Sequence, residues 1–207
     1  MRLLAVRHGA TEWSQARRFA GSRDIPLIAE GRLQAEAAAQ ALGGTFATAV
    51  YTSPLERART SADVIAKPHR LDPVIEPAFR EMAFGIWEGL TREGVAARFP
   101  VEFRAWASTP DRVTPPEGES LGDVDSRVRA ALATLVEQHR GETVILVSHA
   151  IVLRLIVLAA LGLGPERLWS VDASPAGITE IEYQDEWATV HRMNTLAHLD
   201  GLKGGGA

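Results

Sequence analysis

Two short stretches of this sequence are apolar at almost every position and then stop abruptly in polar residues. Residues 3–6 run into Arg7-His8-Gly9, and residues 143–147 run into Ser148-His149. A strand covered by helices on both faces has no polar side to show, so this pattern predicts buried, parallel-type strands. Residues 47–51 form a third, weaker candidate. Between them the period changes. Residues 30–42 are rich in Ala, Gln, Leu and Glu and close at Gly43-Gly44, a helix with its stop signal. Ser53-Pro54 predicts a cap and a proline at the first helical position of a helix over 55–66.

Further along, Thr91 opens a short helix and another is expected around 103–106, inside an otherwise irregular segment, 79–122. Ser120 or Asp123 begins a long helix ending near His139, and 151–161 read as an apolar, mostly buried helix. Residues 178–183 and 187–192 are expected as a hairpin around Gln184-Asp185-Glu186. The glycine-rich tail, 201–207, is expected to fray. Strands alternating with helices place the chain in the α/β class with a mainly parallel central sheet. No repeat or linker divides it, so 1–200 are expected to form one domain, with 79–122 as its cap. In such sheets the ligand lies beyond the carboxyl ends of the strands, where the pattern puts His8 and His149.

Composition narrows the chemistry. Hydrophobic residues make up 46 % and charged residues 23 % of the 207, the balance of an ordinary globular protein. There is no cysteine, which removes disulfides, thiolate zinc sites and cysteine nucleophiles together and suits a reducing compartment. A formal net charge of -4 offers no global field for nucleic acid, so any anion site must be a local arginine cluster. The N-terminal apolar run is too short for a signal peptide, and 150–163, broken by Arg154, fall short of the roughly 20 residues of a spanning helix. The expected setting is cytoplasmic, with no membrane partner.

Several residues are candidates for phosphate chemistry. Arg7 offers a fork of donors suited to phosphate, Gly9 lets backbone come close to a ligand, and Thr11 adds a hydroxyl. Arg17, Arg18 and Arg23 follow in an irregular segment that reads equally well as solvated surface. Arg57 falls in the first turn of a helix that follows a strand, a ready anion site, whereas Arg59 points elsewhere. Glu81 is an ordinary surface charge, an ion-pair partner of Arg80, or a proton donor with a raised pKa, and Glu88 competes for that last role. The His149 imidazole can hydrogen-bond a phosphoryl oxygen.

Taken in order, Arg7-His8-Gly9 with Thr11, Ser53-Pro54-Leu55 with Arg57, Glu81 ahead of Gly85 and Trp87-Glu88-Gly89, and Val147-Ser148-His149 resemble the histidine phosphatase superfamily. The branch is the one related to cofactor-dependent phosphoglycerate mutase, and the resemblance runs from Leu3 to about His198. It implies a three-layer α/β/α sandwich of phosphoglycerate mutase-like form. It also implies that His8 becomes phosphorylated while Arg7, Arg57 and His149 surround the phosphoryl oxygens and Glu81 serves the leaving group. Gly9, Thr11, Ser14, Ala20, Gly21 and Ala150 would complete the substrate-binding set. No cofactor and no metal are expected. Four positions depart from the family pattern. Ser14 stands where asparagine is common, Ala150 where glycine is, and Ala83 and Ile86 replace acidic residues around Glu81.

The related mutases carry a longer central insertion with extra basic residues. Here Thr91 to Ser120 is short, and Arg92, Arg98, Arg104 and Arg112 are scattered along it, so hydrolysis is favoured over transfer. The partner is a small phosphorylated metabolite, and a homodimer is an allowed assembly. Phe84, Ile86, Phe103 and Trp106 are candidates for an apolar substrate wall, with Arg104 or Arg112 meeting a second anion. The alternatives are a phosphoglycerate mutase, a non-catalytic phospho-ligand sensor and, ranked last, a histidine–carboxylate metal hydrolase.

Overall fold

In a computed structural model, which describes residues 1–202, six strands form one sheet in the order β3-β2-β4-β1-β5-β6. They are β1 (Arg2–Arg7), β2 (Ala49–Thr52), β3 (Val74–Ile75), β4 (Thr143–Ser148), β5 (Ile178–Tyr183) and β6 (Ala188–Thr195). The first four are mutually parallel; β5 runs antiparallel to β1 and β6 antiparallel to β5. The helices are α1 (Glu12–Gln15), α2 (Ala29–Leu42), α3 (Glu56–Ala66), α4 (Arg92–Arg98), α5 (Pro100–Ser108), α6 (Leu121–Gln138) and α7 (Ala150–Ala160).

The strand side chains alternate between two cores, which makes the three layers. Leu3, Ala5, Val144 and Leu146 pack with α6 and α7, while Leu4, Val6, Ile145 and Val147 pack with α2 and α3. On α6, Leu121, Val124, Val128, Leu132 and Leu135 form the buried stripe, and Ser120 caps it by accepting the Asp123 N–H. The irregular segment brings Phe79, Phe84, Trp87 and Trp106 into the same core as α6 and α7, which anchors the cap. No helix among the described residues is long and apolar enough to cross a membrane.

Three expectations are corrected. The helix after β2 begins at Glu56 with Leu55 at the cap position, so Ser53 is not its N-cap and Pro54 not its first residue. The cap comes from a distance instead: the Asp24 carboxylate accepts the Glu56 N–H at 2.6 Å. The two-residue edge strand β3 is exposed and carried no pattern to read. The helix expected around 103–106 spans Pro100–Ser108. Of the tail expected to fray, Gly201 and Leu202 close the last 3-10 turn, and 203–207 lie outside the described residues.

What the fold does for function is set by register. In the parallel β1–β4 pair Arg7 stands opposite Ser148, and the His8 N–H donates to the Ser148 carbonyl at 3.0 Å. The residues following each strand, His8 and His149, therefore emerge side by side from the middle of the sheet.

Candidate active site

The rings of His8 and His149 lie edge to face, with centroids 5.1 Å apart, and both residues are buried. His8 is locked by main chain. Its Nδ1 lies 2.7 Å from the Gly9 carbonyl, which can only accept, so Nδ1 holds the proton and Nε2 presents a lone pair. Towards that lone pair the Arg57 Nε–H donates at 3.3 Å. Burial, followed by the charges of Arg57 and Arg7, pushes the His8 imidazole well below its ordinary pKa, so it is neutral at physiological pH.

His149 is fixed from the neighbouring strand. Ser53 Oγ lies 2.6 Å from its Nε2 and accepts the Leu55 N–H at 3.3 Å. No other acceptor among the described residues takes the Ser53 proton, so the hydroxyl donates to Nε2 and the His149 proton sits on Nδ1. That Nδ1 and the Arg7 Nε are both buried without a hydrogen-bond partner among the described residues. Two orphaned donors in one cluster ask for an acceptor.

Arg57 is completely buried, and its guanidinium is held by carbonyls rather than carboxylates: Arg23 O at 2.6 Å and Gly21 O at 2.8 Å. Arg7 donates to the Ala173 carbonyl at 2.6 Å. Burial pulls Arg7 down to about 10 and lowers Arg57 as well, but both stay charged at neutral pH. The carboxylate that both feel in common is Glu81. Its Oε1 accepts the Met82 N–H at 3.0 Å and its Oε2 the Ile151 N–H at 3.4 Å, at the start of α7. Burial outweighs those bonds and the two arginines and raises the Glu81 pKa.

The structure thus gathers His8, Arg7, Arg57, Glu81 and His149 into one buried, cation-rich pocket. Glu81 does not pair with Arg80, which binds Glu119 instead. Arg127 bridges Glu119 and donates to the carbonyls of Ala78, Arg80 and Glu81, pinning the backbone that leads into the acid. Glu88, the rival acid, accepts from the N–H groups of Ser22 and Phe84 and from the Ser22 hydroxyl, and it pairs with Arg23 at 3.3 Å. It braces the loop whose carbonyls hold Arg57.

The remaining expected residues serve mostly as frame. Thr11 and Ser14 form a capping box with each other at α1. Gly21, at φ 51, gives its carbonyl to Arg57, while Ala20 and Ala150 are half-buried neighbours. The Gly9 N–H is spent on Ser61 Oγ, and a Cβ at Gly9 would run into the backbone of Gly31. The converse also holds, because a Cβ on Gly31 meets the Ala10 carbonyl. Gly31→Ala is therefore expected to destabilise the fold by about 2 kcal/mol through overpacking against rigid backbone, read as a lower urea midpoint. Ser53, Glu119 and Arg127 were not anticipated as site residues. Their parts depend on partners 39 to 96 residues away in the chain for which no local signal exists.

The chain matches the family model described as histidine phosphatase superfamily, branch 1, over residues 3–196. It belongs to the histidine phosphatase superfamily. Within this superfamily it is 32% identical over 199 residues to phosphoserine phosphatase 1 of Hydrogenobacter thermophilus, covering 96% of this chain and 94% of that one. It is 30% identical over 205 residues to the probable phosphoglycerate mutase GpmB of Yersinia enterocolitica, covering 97% and 95%. Among solved structures, Bacillus stearothermophilus YhfR superposes with a TM-score of 0.89 at 31% identity, covering 96% of this chain and 99% of that one. The α/β sandwich is thus the phosphoglycerate mutase-like fold, and this histidine phosphatase is a phosphomonoesterase acting on a small phosphorylated substrate.

Proposed function

We propose that the enzyme hydrolyses its substrate through a phosphohistidine at His8 Nε2. One observation carries the reading: a neutral imidazole nitrogen, with its lone pair held against Arg57, sits among buried cations and orphaned donors that no protein carboxylate fully compensates. A buried guanidinium charge without a matched partner is costly, and a bound phosphate dianion supplies the match.

In the first step Nε2 attacks phosphorus in line as the ester P–O bond breaks. The bonding pair leaves on the alcohol oxygen, which takes the proton of Glu81. Arg7, Arg57 and His149 Nδ1–H hold the three non-bridging oxygens, supplying the positioning and positive charge that a loose transition state needs. In the second step the Glu81 carboxylate removes a proton from water, whose oxygen attacks phosphorus. The N–P bond breaks, and its electron pair returns to Nε2.

The two titrations set the pH profile. His8 must be neutral, so activity falls as pH drops through its pKa, which lies well below the ordinary histidine value. Glu81 must enter protonated, so activity falls as pH rises through its pKa, which lies above the ordinary carboxylate value. A bound phosphate dianion raises both further, a shift that appears in the kcat profile and not in kcat/KM. The expected kcat/KM profile is a bell with an acidic optimum. Glu81→Gln is expected to remove its alkaline limb and to lower kcat by about 10²–10⁴-fold for alkyl phosphates but much less for 4-nitrophenyl phosphate, whose leaving group needs no proton. An unchanged profile in that variant would remove Glu81 from the mechanism. Hydrolysis rather than transfer is tested with 3-phosphoglycerate, from which free phosphate is expected to accumulate faster than the 2-isomer.

A further inference from the structure

Beside the phosphate pocket a cleft of ≈ 440 Å³ opens at the surface, reaching from Arg7 to the cap. Arg17, Arg18 and Arg92 line it together with Phe84, Trp106 and Trp169, and none of its lining residues is acidic. In a chain of net charge -4 this is a local excess of positive charge. None of the three guanidinium groups is in an ion pair among the described residues. Arg18 is braced by donating to the Gly89 carbonyl at 2.6 Å, and Arg92 lies 5.7 Å over the Phe103 ring. Arg17 adopts φ 52, an uncommon conformation for a residue with a Cβ, at the turn that ends α1. The Glu93 carboxyl nearby is lowered first by its own backbone N–H and Thr91, and further by Arg17 and Arg92. Glu93 is exposed and does not line the cleft.

The aromatic side is rigid. Trp169 Nε1 donates to the Trp106 carbonyl at 3.0 Å, their rings meet edge to face at 5.4 Å, and Trp106 meets Phe84 at 5.5 Å. The Arg154 guanidinium sits 5.0 Å from the Trp169 ring centre, yet Trp169 remains 37% exposed. A preformed aromatic surface facing unpaired cations suits a planar or apolar body that carries an anion.

Resting on the phosphatase reading above, we infer that the cleft selects phosphate esters whose leaving group carries a second anion on a planar or apolar body, and rejects leaving groups that carry an ammonium. An ammonium there would face guanidinium groups with no carboxylate among the described residues lining the cleft to receive it. The sequence-based candidates for this role are corrected: Arg104 and Arg112 are exposed outside the cleft, Ile86 does not line it, and Phe103 supports Arg92.

The test is kcat/KM on two matched pairs: 4-carboxyphenyl against phenyl phosphate, and 3-phosphoglycerate against O-phosphoserine. In each pair the first is expected to be preferred by about tenfold at low salt, with the preference shrinking as salt is added. Arg17→Ala and Arg92→Ala should each collapse both ratios, whereas Arg104→Ala and Arg112→Ala should leave them as in the wild type. Comparing ratios between variants cancels the intrinsic reactivities of the leaving groups. An active wild type with ratios near one, or favouring phosphoserine, overturns the selectivity proposal alone. A wild type that turns over none of the four esters overturns the phosphatase mechanism beneath it.

Discussion

His8→Ala is expected to lower kcat by at least about 10⁴-fold on every substrate, because the covalent route disappears rather than weakens. The fold should survive. Among the described residues the His8 ring is hydrogen-bonded only to the Gly9 carbonyl and Arg57, and Arg57 is held independently by Gly21 and Arg23. The variant should therefore keep its thermal midpoint and still bind phosphate esters. Two measurements check this. Wild type quenched in alkaline detergent after incubation with ³²P-labelled substrate should retain label in an acid-labile, base-stable linkage, and the variant should retain none. A His8→Ala protein with wild-type turnover would eliminate the mechanism outright.

The second large effect is expected at Arg57. Truncation to alanine should cost about 10³-fold or more in kcat/KM, the scale at which a guanidinium that meets transferring phosphate acts. The Arg57→Lys variant should recover little of it. One guanidinium donates at once to His8 Nε2, Arg23 O and Gly21 O, three directions that a single ammonium on a flexible stem does not reproduce. If Arg57→Lys kept most of the activity, Arg57 would matter only as a point charge, and its orienting role would be wrong. Both substitutions also release the Gly21 and Arg23 carbonyls, so a modest loss of stability is expected alongside.

These residues could be picked out of the sequence because strands buried on both faces write themselves as short apolar runs, and their ends mark the rim of the sheet. β1 and β4 were legible for that reason, and with them His8 and His149. β3 was not, since Val74 and Ile75 sit on an exposed edge and owe their strand geometry to pairing with Tyr51 and Thr52. Ser53 shows the limit differently. Its neighbour Pro54 gave it the look of a helix cap, yet its hydroxyl belongs to an imidazole 96 residues on. The Glu119–Arg127 clasp around Glu81 and the Glu88 brace on the Ser22 loop are likewise long-range closures of hydrogen bonds. Charge at those positions reads as surface until the chain is folded. Of the cap residues expected to set selectivity, Phe84 and Trp106 line the cleft, whereas Arg92 and Trp169 join it from segments distant in sequence.

The excursion between α1 and α2 divides its labour by position. Residues 17 and 18 look outward into the cleft, whereas the main chain at 21 and 23 grips Arg57 and the carboxylate at 24 closes off α3. A library randomised at the first pair can redirect substrate preference while the reaction centre stays intact, but insertions or deletions a few residues later would unseat the guanidinium. This enzyme is accordingly open to retuning on one half of a single short loop and closed to it on the other.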